Sequence, residues 1–133
     1  KGQDIVILAV GSMVDTAMKV QKAFEAEGMH LSVVNVRFTK PMDEEMLALA
    51  EVNHRLIVTM EENELIGGFG ETAGAWYTAH ARYKRSLLQL GIDDQYVEHG
   101  SVDVLKASLG LDAASIVKKI KEKYACLETE NEK

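Results

Sequence analysis

The chain has a single cysteine, Cys126. That scarcity excludes a disulfide framework and a cysteine-based zinc site, and it fits a reducing, cytoplasmic compartment. Basic residues are also in short supply. Fifteen Lys and Arg against 21 Asp and Glu leave a formal net charge of −6, with a pI near 5.2. A nucleic-acid binder would want the opposite surplus on one face, so no nucleic-acid partner is expected. No apolar run approaches the ~20 residues of a membrane span, and no signal peptide opens the chain, so no membrane partner is expected either. His30, His54, His80 and His99 are scattered without metal-ligand spacing, which speaks against a metal site. A Ser-His-Asp hydrolase lacks its Gly-x-Ser-x-Gly elbow.

What remains is an ordinary globular composition. The 133 residues are 47% hydrophobic and 27% charged. A chain of this length buries about 70% of its unfolded surface, enough for one core without staples. We expect one domain over residues 1–126 and a polar, disordered tail over 127–133. Lys1 stands where a Met would open a gene product, so the sequence reads as a piece of something longer.

Four apolar runs, Ile5–Val10, Leu31–Val36, Leu56–Met60 and Ser86–Leu90, are continuous rather than alternating. Such runs suit parallel strands covered on both faces. Between them lie helical patterns: Met13 to Ala26, stopped by Gly28; Asp43 to Val52, with Pro41 just ahead; and Gly70 to about Tyr83. Two more helices are expected over Val102–Leu109 and Ala113–Tyr124. Strands alternating with helices of this length predict a three-layer α/β/α domain on a mainly parallel sheet of four or five strands.

Ligands of open α/β sheets bind beyond the carboxyl ends of the strands. There the first strand offers Gly11 and Ser12, at a turn whose chemistry alone explains them. The third offers Glu61, Glu62 and Asn63, then Gly67, Gly68, Phe69 and Gly70. Glu61 and Glu62, adjacent on a strand, point to opposite faces and make a poor acid/base dyad. The glycine run permits close backbone approach and could form an anion-binding nest, but it matches neither the Walker loop nor the dinucleotide fingerprint. Close packing is its simpler use. Arg37, just past a buried strand, calls for a carboxylate partner, and a structural ion pair with Glu61 or Glu62 is the preferred reading over catalysis. His99 lies in a glycine-flanked loop, and Trp76 and Tyr77 read as packing groups. No complete active site emerges, so catalytic, cofactor-binding and metal residues are all expected to be absent.

Four segments in this order resemble one family: Asp4–Ser12, Val34–Asp43, Val58–Asn63 with Gly67–Gly70, and Leu90–Gly100. They are similar to the C-terminal domain of the 1-deoxy-D-xylulose-5-phosphate synthases, a transketolase-type family, and Gly110–Ala113 extends the likeness. The resemblance implies a parent enzyme that condenses pyruvate with glyceraldehyde 3-phosphate and releases carbon dioxide. It implies thiamine diphosphate and Mg2+ held by other domains, and a homodimer. This domain would pack on the other two domains and on a second subunit, as part of a homo-oligomer. None of the family's cofactor motifs occurs in this chain. Rivals are the equivalent domain of a transketolase or 2-oxoacid dehydrogenase beta subunit, and a free-standing α/β ligand-binding module. The family's strand order further implies that Leu31–Val36 lies at a sheet edge. That edge would then self-associate or be covered by Lys1–Gln3 or the tail, unless a dimer surface around Glu61–Gly70 drives association instead.

Overall fold

A computed structural model describes residues 4–11, 13–36, 44–61, 69–80, 82, 85–91, 103–108 and 113–131. In chain order the elements are β1 (Ile5–Val10), α1 (Met13–Glu25), β2 (Ser32–Val36), α2 (Glu44–Asn53), β3 (Leu56–Met60), α3 (Phe69–His80), β4 (Ser86–Gly91), β5 (Asp103–Ser108) and α4 (Ala113–Asn131). The five strands form one sheet in the order β2-β1-β3-β4-β5, and every pairing is parallel.

The continuous apolar strands are used on both faces, as their pattern predicts. Along β1, Ile5, Ile7 and Ala9 enter a core shared with α1 and α4. Val6 and Leu8 enter a second core shared with α2 and α3. Each strand residue is thus committed to one of two helical layers, and a one-residue slip would exchange them. Gly28 ends α1 in a left-handed conformation, φ +80°. Its N–H bonds the Glu25 carbonyl at 2.9 Å and Met29 N–H bonds that of Phe24 at 3.0 Å, which is a Schellman closure.

One element differs from the sequence reading. Val102–Leu109 was expected to be helical, yet Asp103–Ser108 is a strand that pairs with β4 from Ser86↔Asp103 to Gly91↔Ser108. A helix of two turns is marginal by itself. The free edge of β4 offers a full ladder of backbone partners, and that long-range pairing overrides the local spacing. The last helix also runs further than its apolar pattern suggests. It continues to Asn131, through the segment read as tail, and Leu127 packs against the core. Arg55 fastens that end, its guanidinium donating to the Leu127 carbonyl at 3.4 Å and lying 3.6 Å from Asp4.

As the family order implies, β2 is at the edge. Ser32, Val33 and Val34 are half-buried and Asn35 is exposed. An edge with Val at two successive positions is a template for another strand. We expect the 133-residue chain to associate weakly with itself, and Asn35→Lys to reduce that association severalfold. Sedimentation velocity over a concentration series checks this, and concentration-independent monomers for the unmodified chain would show the edge to be covered.

Candidate functional site

In this sheet the connections reverse between β1 and β3, so the crevice lies beyond Val10 and Met60. Glu61 follows β3 directly and is 1% exposed. Its carboxylate bridges the first turn of α3: one oxygen accepts from the Phe69 N–H at 2.9 Å and the other from the Gly70 N–H at 2.6 Å. Negative charge at a helix N-terminus answers both the unpaired N–H groups and the helix dipole. Those two N–H groups are therefore filled by the chain's own side chain. The adjacent Gln89 of β4 donates from its amide to the Gly70 carbonyl at 2.5 Å. A Cβ on Gly70 would sit 2.7 Å from Thr59 Oγ1 and 3.0 Å from the nearer Glu61 oxygen. Only glycine fits at this approach of helix to sheet.

Gly11 is exposed with φ +57°, and its carbonyl accepts from the Val14 N–H at 3.2 Å as α1 begins. Ser12, Arg37, Glu62, Asn63, Gly67, Gly68 and His99 lie outside the described residues. Of the residues singled out from the sequence, Glu61 and Gly70 are brought into direct contact. Thr59 and Gln89, which face each other across β3 and β4, complete the cluster and were missed. Thr59 Oγ1 and Gln89 Oε1 are buried without a hydrogen-bond partner among the described residues. Their signal was available: a Thr and a Gln inside strands that are otherwise mostly apolar. The cluster fixes the start of α3 against the sheet and buries the Glu61 carboxylate.

Polar groups away from the crevice join elements too. Tyr77 donates to the Leu47 carbonyl at 2.8 Å and Trp76 to Glu44 at 3.0 Å, tying α3 to α2. Burial, with Glu51 nearby, pushes the Tyr77 phenol well above its usual range. His54 places Nδ1 3.1 Å from the Ala50 carbonyl and Nε2 3.4 Å from Ser32 Oγ. This pattern suits a neutral ring that donates from Nδ1 and accepts at Nε2. Burial lowers its pKa, opposed by the Ala50 carbonyl and Asp4 and reinforced by Arg85. The unfolded chain therefore takes up this proton first as pH falls. Stability from His54 is complete above pH ~6.5 and is lost as pH drops toward the folded-state value, with a slope of at most about 1.4 kcal/mol per pH unit. Denaturant melts from pH 7.5 to 5 should show that slope, and His54→Gln should flatten it.

Among the described residues, no group of three or more His, Cys, Asp or Glu is placed to hold a metal ion, and no helix is long and apolar enough to cross a membrane. The family model for the transketolase C-terminal domain matches residues 1–116. The chain belongs to the transketolase C-terminal domain family. Within it, the sequence is 44% identical over 118 residues to a 1-deoxy-D-xylulose-5-phosphate synthase of Lachnoclostridium phytofermentans, covering 89% of this chain and 19% of the relative. It is 38% identical over 122 residues to the synthase of Aquifex aeolicus, covering 92% of this chain and again 19% of the relative. Among solved structures it superposes on a split-gene transketolase, described as an inactive beta4 tetramer, with a TM-score of 0.73 and 28% identity. That match covers 92% of this chain and 38% of the other. The chain thus spans about a fifth of the length of these curated relatives. Its α/β fold and parallel sheet are consistent with those of a transketolase C-terminal domain.

Proposed function

We propose that this transketolase C-terminal domain serves a thiamine-diphosphate-dependent 1-deoxy-D-xylulose-5-phosphate synthase, in a structural rather than a chemical role. The parent would join pyruvate to glyceraldehyde 3-phosphate with loss of carbon dioxide, as a cytoplasmic homodimer feeding isoprenoid and thiamine synthesis. Identity of 44% over 118 residues to such a synthase is the observation that carries the reading. Supporting it, the functional crevice of the sheet is built to hold backbone. Glu61 spends its carboxylate on α3, and the described residues present no ligand cluster for Mg2+. These residues do not fit the cofactor's diphosphate and metal, which in this reading are held by the preceding domains. Arg37 in this reading pairs with Glu61 or Glu62 and braces the same corner.

The coding sequence upstream of Lys1 tests the proposal most directly. A Gly-Asp-Gly…Asn segment followed by a synthase-like middle domain is the expected result. A transketolase-like or dehydrogenase-like upstream region would change the reaction, and an unrelated one would end the reading. The 133-residue chain alone should give no heat beyond dilution when titrated with thiamine diphosphate and Mg2+. Binding at micromolar concentration would mean that the domain holds cofactor after all.

A further inference from the structure

We infer that the outward face of α2, carried by Leu49 and Val52, is the seat on which a preceding domain of the parent enzyme rests. This builds on the reading above that the chain is one domain of a longer enzyme. α2 carries apolar side chains on its buried and on its open side. Leu47 and Ala50 turn inward and are buried, whereas Leu49 is 55% exposed and Val52 51%. Among the residues whose side-chain burial is described, the other exposed large hydrophobic is Met18 of α1, at 42%, a single exposed residue of the kind most surfaces carry. Leu49 and Val52 are three residues apart, hence neighbours on one helical face.

The other flanks of α2 are occupied. Toward α3 it sends Glu44 to Trp76 and the Leu47 carbonyl to Tyr77. Met46 packs into the core cluster that includes Val34 and Val36 of edge strand β2. Beside these contacts Leu49 and Val52 stay open.

Size selects the occupant. A stable dimer of free chains buries about 800 Å² on each partner, far more than two side chains on a ten-residue helix supply. A tethered domain needs much less, because the linker supplies a high effective concentration. The curated relatives carry about four-fifths of their length outside the matched region, 19% of each being covered, so such a domain is available. Exposed Glu45 and Asn53 border the ridge, which fits an apolar contact with a polar rim.

The test uses the full-length enzyme carrying Leu49→Glu with Val52→Glu, and Met18→Glu as control. Limited proteolysis between domains should run about tenfold faster in the double variant, while amide protection of β1 and β3 stays as in the unmodified enzyme. Met18→Glu should cleave at the unmodified rate. Equal cleavage in the double variant, or equal acceleration by Met18→Glu, overturns the assignment. If β1 and β3 also lose protection, Leu49→Ala with Val52→Ala takes its place, and acceleration of severalfold is expected. Loss of the enzyme's oligomeric state with unchanged interdomain cleavage would place a second copy on this face, also against the proposal. The underlying reading fails separately, and before any variant is made, if the gene encodes no preceding domain.

Discussion

Glu61→Ala is expected to cost on the order of 3 kcal/mol. The carboxylate accepts two charge-assisted hydrogen bonds, from the Phe69 and Gly70 N–H groups, and is itself buried. Bonds of this type contribute about 1.5–3 kcal/mol each, and removing the acceptor leaves donors at a helix start where Phe69 is 3% exposed. Against a usual total of roughly 5–15 kcal/mol that is a large fraction, and it corresponds to a fall in Tm of about 10 °C for a chain of this size. Glu61→Gln keeps one acceptor oxygen, but its amide faces an N–H, so it should recover no more than about half the loss. Calorimetric melts of the three proteins decide this. A Tm unchanged in Glu61→Ala would mean that water replaces the carboxylate at no cost, and the cluster would then have no structural importance.

Strands β1 and β3, buried along nearly all their length, were the most legible in the sequence. A run such as Ile5–Val10 leaves no polar side for solvent, and only a sheet covered on both faces satisfies it. Gly28 announced the end of α1 for an equally local reason, since the Schellman closure demands a left-handed residue. The segment Asp103–Ser108 was not legible, because its conformation depends on the unpaired edge of β4, which lies outside any local window. The candidate site divides the same way. Close approach at Gly70 was readable from a glycine opening a helix, whereas the two backbone donors to Glu61 were not. Two of the bonds to its oxygens come from backbone N–H groups eight and nine residues onward. Backbone donors have no residue type, so composition and spacing give no sign of them. Thr59 and Gln89 escaped notice because two polar residues in apolar strands disturb the pattern too little to change the strand assignment.

That corner also makes the fold depend on one missing methyl group. Gly70→Ala is expected to destabilise by about 1–3 kcal/mol, the usual range for overpacking a tight interior. Within a free helix the same change would be favourable by up to about 1 kcal/mol, so the sign itself is diagnostic. The new Cβ would meet Thr59 Oγ1 at 2.7 Å and the nearer Glu61 oxygen at 3.0 Å, with Gln89 Cγ at 3.4 Å. None of the three can retreat cheaply. Thr59 is held in the centre of the sheet between β1 and β4, Glu61 is fixed by its two bonds to α3, and Gln89 by its bond to the Gly70 carbonyl. The helix must lift instead, which lengthens the bonds that anchor it. The energies should therefore couple. Thr59→Ala removes the hydroxyl in the way, an oxygen without a hydrogen-bond partner among the described residues, and Gly70→Ala should cost less in that background than alone. Residues in contact commonly couple by about 0.5–3 kcal/mol. Urea unfolding of the two single variants and the double variant closes the cycle. Strict additivity would show that helix α3 accommodates the methyl group by a route other than displacement from Thr59.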